Sequence, residues 1–299
     1  MIQYDPHRWL DHFFDIRGSL VKEIGGRVTL CVALAVAVVF IHKNIFPVGF
    51  SPVAHTLVGV ALGLLLVFRT NVSYDRFWEG RRLWGQIVND CRNLVRLGSV
   101  QLRHHPDLLV ELTRWTALFP LAVMNVLRGE TRLTPPSIGI SPQELQEVEL
   151  SQHPALTVSV EMTHCLVEGH RRGAYSDIIH GALDRNVQNL VDHLGGCERI
   201  RKTPLPFAYV VHLRRSLVFY CLTLPFALAE PLEWEAVPAV LFISYTFFGI
   251  EEIGVEIEGP FGYDDNDLPL NDICESIYNN VYAIAGTKQT SREQMPEGL

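Results

Sequence analysis

Apolar residues along this chain gather into four long runs that form two pairs, one near each end. The first run covers Val28 to Ile41 and resumes after Lys43 up to Phe50. The second covers Ser51 to Phe68, the third Ser216 to Ala229 and the fourth Ala236 to Ile250. A helix that crosses a bilayer needs about 20 mostly apolar residues, with about 17 as the lower end. Only the second run reaches that length without charged flanks. The other three also suit core helices of a large soluble protein. The short linker inside each pair predicts two hairpins of adjacent helices.

Charge adds a direction to these hairpins. Lys22 and Arg27 precede the first run, while Arg69, Arg76, Arg81 and Arg82 follow the second. Arg214 and Arg215 precede the third. The linker between the third and fourth runs carries Glu230, Glu233 and Glu235 but no Lys or Arg, and the linker between the first two holds only Lys43. By the positive-inside rule, both termini and the long middle region are expected in the cytoplasm.

The middle region predicts soluble helices. Leu83, Ile87, Val88, Cys91, Leu94 and Val95 recur at helical spacing between Leu83 and Leu97. Leu108 to Leu127 predicts a buried core helix interrupted at Pro120. Thr131 to Ile140 reads as a loop, and Ser141 with Glu144 forms a capping box with Pro142 at the first helical position. Further helices are predicted over 155–171 and 176–197. No alternating strand pattern stands out, so the expected fold class is all-α. The chain divides into an N-terminal segment with the first two apolar helices (1–73, candidate pore helix 51–69) and a helical cytoplasmic region (74–213). The second apolar pair (214–258) and an acidic turn with a C-terminal tail (259–299) follow. From about Thr287 the tail is polar, and disorder or a loose wrap onto a neighbour is expected there.

Composition agrees with a chain that is part bilayer and part aqueous. Hydrophobic residues make up 48% of it and the mean hydropathy is +0.15. The net charge of −8 argues against a nucleic-acid partner, which calls for a basic face. The six cysteines form no CxxC pair and predict buried, reduced thiols. No early apolar stretch with a small-residue cleavage site marks a signal peptide.

Three features are candidates for chemistry. Within the second run, Gly59 and Gly63 form a GxxxG pair suited to close helix packing. Val60, Leu64 and Phe68 recur every fourth position, so several copies around an axis would form a narrow hydrophobic constriction of the kind that gates by dewetting. The same periodicity suits a packing face. Near the C-terminus, Glu251, Glu252, Glu256 and Glu258 precede Gly259-Pro260-Phe261-Gly262-Tyr263-Asp264-Asp265-Asn266-Asp267. Clustered carboxylates in a turn suit a hard cation, although the pattern is not an EF-hand loop and the residues by themselves favour a solvated acidic turn. A membrane metalloenzyme using the cluster at 251–267 is thus one alternative, and a non-conducting membrane scaffold another.

Three stretches carry a family resemblance. Phe68 to Gly85 (FRTNVSYDRFWEGRRLWG), residues 195–209 (GGCERIRKTPLPFAY) and residues 259–270 (GPFGYDDNDLPL) resemble the bestrophin family, bacterial branch, and Arg17-Gly18-Ser19 fits as well. The resemblance implies a homopentameric ion channel with four transmembrane helices per subunit and a large helical cytoplasmic part. It implies a multi-pass protein of the bacterial inner membrane that is not an enzyme, with the lipid bilayer, monovalent ions and further copies of itself as partners. On that pattern Val60, Leu64 and Phe68 line a hydrophobic neck, and Ile178 forms a second, cytoplasmic aperture. Animal members bind Ca²⁺ through an acidic turn that matches Asp264 and Asp267 here. The turn in this chain is interrupted by Tyr263 and Asn266, so no cofactor is expected to be required and Ca²⁺ is carried over only as a candidate. Animal members conduct chloride-type anions and have phenylalanine where this chain has Leu64. Bacterial relatives with an aliphatic residue there can favour Na⁺ or K⁺, which leaves the permeant ion open.

Overall fold

A computed structural model of the chain describes residues 20–133 and 139–286, and all regular structure among them is helical. Arg17-Gly18-Ser19, the centre of the 131–140 loop and the tail from Thr287 lie outside the described residues. The helices are α1 (Val21–Asn44), α2 (Pro52–Gln101), α3 (Pro106–Arg128), α4 (Pro142–Leu150) and α5 (Pro154–Arg171), then α6 (Asp177–Lys202), α7 (Phe207–Leu232), α8 (Ala236–Glu256) and α9 (Leu270–Ala285). A single 3₁₀ turn, Glu233–Glu235, joins α7 to α8. The chain separates into two compact units. One comprises Met1–Trp78, Thr203–Pro260 and Asp264–Asp267; the other comprises Glu79–Lys202, Phe261–Tyr263 and Leu268–Leu299.

The first unit holds the apolar runs. Three stretches among the described residues are long and apolar enough to cross a membrane: Val21–Asn44, a window within Pro52–Gln101, and Phe207–Glu256, which folds as α7 and α8. Each helix is longer than its apolar run, because charged residues extend the ends. Thus α1 includes Lys22, Glu23 and Arg27, and α7 begins well before Arg214 and Arg215. Helix α1 packs on both α7 and α8. The core of this unit is built from Ile24, Val28, Cys31 and Ala35 of α1, Leu62 and Leu66 of α2, and facing residues of α7 and α8. Lys43 at the end of α1 forms an ion pair with Glu233 of the α7–α8 turn. The two short linkers therefore lie at the same end of this bundle, as the charge pattern predicts.

Helix α2 corrects the sequence reading. The apolar run does not end a helix at Phe68. The helix continues without a break to Gln101, absorbing the charged segment and the separately predicted 83–97 helix. No proline interrupts these 50 residues after Pro52, and the buried positions keep helical spacing throughout. They are Leu62, Leu66, Arg69 and Ser73 in the first unit, then Trp84, Ile87, Cys91 and Leu94 in the second.

The second unit is a helical core around α3, which packs on α5, α6 and α9. All residues from Trp115 to Asn125 are buried, as expected for a core helix. Pro120 does not break it. Proline removes the bond that residue 120 would give to the Thr116 carbonyl. The Cys91 thiol, 3.9 Å away, points its weak donor at that carbonyl instead. All six cysteines are buried and unpaired. Burial pushes the Cys197 and Cys274 thiols up to about 12, so they remain protonated at neutral pH.

The capping box forms as its sequence predicts. The Ser141 hydroxyl accepts from the Glu144 amide at 3.2 Å, and the Glu144 carboxylate accepts from the Ser141 amide at 2.8 Å. That backbone bond is the main reason the Glu144 carboxyl is held below the usual carboxylate range. Ser141→Ala is expected to lower stability by about 1 kcal/mol, read as a small drop in thermal midpoint with the helical circular-dichroism signal retained.

Candidate functional site

The membrane-length part of α2 has two opposed faces. An α-helix turns about 100° per residue. The buried residues Leu62, Leu66, Arg69 and Ser73 therefore fall on one narrow stripe. Val60 and Leu64 lie roughly opposite that stripe, with Phe68 to one side of them. Their exposures are 62%, 57% and 62%. Val53, Leu57 and Val67 extend the same uncovered apolar surface. Among the described residues nothing covers it, which leaves this face open to lipid or to other copies of the chain.

The glycine pair divides in two. A Cβ on Gly59 would lie 2.7 Å from the Tyr220 hydroxyl oxygen and 3.2 Å from its ring, whereas a Cβ on Gly63 would meet nothing within 4 Å. Tyr220 is itself fixed, stacked on His55 at 4.7 Å and edge-on to Phe247 at 5.3 Å. Packing within the chain thus accounts for Gly59 and not for Gly63. Gly59→Ala is expected to lower the thermal midpoint of the purified protein, by overpacking worth about 1–3 kcal/mol. Gly63→Ala serves as its unaffected control. Equal midpoints for the two would contradict this packing.

Arg69 occupies a position on the buried stripe, directly after Phe68. It is 1% exposed and donates to Glu251 of α8, itself 2% exposed, at 2.7 Å. Arg214 of α7 donates to the same oxygen at 2.8 Å. Arg27 of α1 lies 3.7 Å from the other Glu251 oxygen and donates to Glu252 at 2.9 Å. One carboxylate therefore gathers guanidinium groups from three helices. A charge in such a site needs a partner, because removing it from water costs several kcal/mol. The sequence offered a signal that hydropathy alone hides: Arg69 and Arg76, like Glu251 and Glu258, are seven residues apart.

These contacts bear on the acidic cluster as a metal site. Glu251 and Glu252 are engaged by arginines, and among the described residues no three of His, Cys, Asp and Glu converge on a point. Farther along, Asp264 is exposed. Asp267 is buried, and its carboxylate accepts from the Asp264 amide at 2.9 Å, closing the turn on itself. Asn266 donates to Glu256 at 2.7 Å. A Ca²⁺ site calls for six to eight oxygens; here the Asp267 carboxylate holds its own turn and Asp264 is exposed. In the second unit, Arg128 lies 4.2 Å over the Tyr263 ring and donates to the carbonyls of Phe261 and Gly262, anchoring that short segment.

Ile178 lies in the second unit, in the first turn of α6, and is 84% exposed. The segment before it is held firmly. The ring of His170 lies 3.1 Å from the Asp177 carboxylate and 3.2 Å from the Tyr175 carbonyl. The Tyr175 hydroxyl donates to the Leu166 carbonyl. It passes over Gly169, where a Cβ would come within 2.7 Å of it. Burial, with a smaller effect from Cys165, pushes the Tyr175 phenol up to about 12. A rigid support under an exposed isoleucine was not visible from sequence, because its members are spread over the end of α5 and the turn that follows. Val60, Leu64 and Phe68 are thus brought onto one helix in the first unit, and Ile178 stands in the second.

The profile of a family described as Bacterial/Fungal Bestrophin protein matches residues 1–283. A voltage-dependent anion channel-forming protein of Nostoc sp. is 38% identical over 91% of this chain and 90% of its own length. The voltage-dependent anion channel-forming protein YneE of Escherichia coli K12 is 33% identical over 93% of this chain and 91% of its own. Among solved structures, a bacterial bestrophin homologue from Klebsiella pneumoniae superposes with a TM-score of 0.81 at 30% identity, covering 88% of this chain and 98% of that one. With its all-helical fold and its membrane-length apolar helices, this chain is a membrane protein and belongs to the bacterial and fungal bestrophin family.

Proposed function

We propose that the chain assembles as a homopentamer in the bacterial inner membrane and passes small monovalent ions along the axis between its copies. The observation that carries this reading is the uncovered apolar face of α2. Val60, Leu64 and Phe68 lie away from the buried stripe that fixes the helix to its own chain. Five such faces around an axis form a hydrophobic neck, which admits ions when wetted and blocks them when dry. Ile178, exposed on a rigid support, forms the second constriction in this reading. Both termini lie in the cytoplasm, in line with the arginine-rich ends of the apolar helices and the Lys43–Glu233 pair at the other end.

The names of the relatives favour anions as the permeant class. An aliphatic ring at Leu64 carries no fixed charge, so discrimination comes from ion hydration and from charge lining the wider parts of the pathway. No catalytic step belongs to this reading, and Ca²⁺ is not required by it: Asp267 serves as the cap of its own turn, with Asp264 the candidate partner should the ion bind.

Planar-bilayer recording of the purified oligomer under a salt gradient tests this directly. Discrete currents that reverse near the chloride equilibrium potential are expected. Reversal near the potassium potential would transfer the channel to cations. An intact oligomer that passes no current under any gradient would leave the scaffold reading in its place.

A further inference from the structure

Two arginine–glutamate contacts of the first unit repeat in register, one between the buried Arg69 and Glu251 and one between the partly buried Arg76 and Glu258. Arg69 and Arg76 of α2 are two helical turns apart and share a face. Glu251 near the end of α8 and Glu258 just beyond it have the same spacing. Arg69 donates to the Glu251 carboxylate at 2.7 Å and lies 4.0 Å from that of Glu258. Arg76 donates to the Glu258 carbonyl at 3.2 Å and to the Thr203 carbonyl at 2.5 Å. The Glu258 carboxylate in turn accepts from the Leu205 amide at 3.0 Å. Gly254 lies between the two acids, and a Cβ there would be 3.5 Å from Arg69 Nε, so the guanidinium passes close along the α8 backbone.

We propose that Arg69–Glu251 and Arg76–Glu258 form a register lock that sets the rotation and height of α2 against α8, and so aims Val60, Leu64 and Phe68 at the ion pathway. Arg69 and Glu251 act as positioning residues, because neither belongs to the exposed face. Arg69 follows Phe68 directly, so its direction fixes that of Phe68 to within the 100° step of the helix. A slide of α2 by one turn would break both contacts together and leave the buried Arg69 and Glu251 charges without each other. The lock therefore has discrete settings rather than a continuous range. The inference rests on the neck reading given above.

The test compares planar-bilayer currents of wild type, Leu64→Ala, and the pair Arg69→Gln with Glu251→Gln. The double variant removes both charges and keeps groups that can hydrogen bond, so no lone buried charge remains between them. It is expected to elute as the wild-type oligomer, with single-channel conductance altered at least twofold and a shifted reversal potential. Arg69→Lys alone, which keeps the charge, is expected to fall between it and wild type. A double variant with wild-type conductance and reversal potential, merely less heat-stable, overturns the lock and leaves only a structural tie. An unaltered Leu64→Ala overturns the neck reading and the lock with it; an altered Leu64→Ala beside an unaltered double variant overturns the lock alone. Arg76→Gln provides the second route, should the double variant fail to assemble. Assembled Arg76→Gln oligomers are expected to show altered conductance, and unaltered ones overturn the proposal.

Discussion

Leu64→Ala is expected to raise passive ion flux through reconstituted liposomes on the order of tenfold, which corresponds to about 1.4 kcal/mol taken from a barrier. The reasoning begins with exposure. More than half of the Leu64 side chain is uncovered in its own chain, so truncation costs folding little. Its effect should appear in conduction instead. At a dry apolar ring the barrier is the cost of wetting the constriction and stripping an ion of part of its water. Removing branched side chains from every copy at once widens and hydrates that ring. Efflux from salt-loaded vesicles, normalised to the amount of oligomer, measures the change. Flux equal to wild type, with the oligomer intact, would remove Leu64 from the pathway.

Glu251→Ala is expected to give the largest loss of stability in the chain, about 3–5 kcal/mol. The substitution leaves the Arg69 guanidinium buried with its main partner gone. Arg27 and Arg214 are each about half exposed and can reach the interface along their aliphatic stems. Arg69 has no such route. Loss of the assembled oligomer, or a thermal midpoint far below that of wild type, is the expected readout. Glu252→Ala breaks a pair whose arginine is half exposed, and should cost no more than about 1 kcal/mol. The ordering discriminates between readings. In a metalloenzyme built on this cluster, Glu252 is the residue whose loss abolishes function. In a bundle held by Arg69, Glu251 matters far more.

Periodicity and charge along the chain already determined much of this protein. They placed the four apolar helices and the buried helix around Pro120, and they gave the common end shared by the two short linkers. The Ser141 cap was legible for the same reason. Each of these depends on residues close in sequence, where helix geometry turns spacing directly into position. The alternation of Val60, Leu64 and Phe68 was equally visible, yet spacing could not tell a packing face from an open one. Only the tertiary structure decided that, by covering Leu62, Leu66, Arg69 and Ser73 and leaving Val60, Leu64 and Phe68 bare. It likewise decided that α2 runs on through Arg69 and Arg76 rather than ending at the membrane edge. The sequence read those arginines only as the positive charges that follow the second apolar run. Their partners, the Glu251 carboxylate for Arg69 and the Glu258 carbonyl for Arg76, lie some 180 residues away in the chain. The matched seven-residue spacings hint at a pairing but do not fix which groups meet, and only the folded bundle brings Arg69 and Glu251 close enough to leave water together.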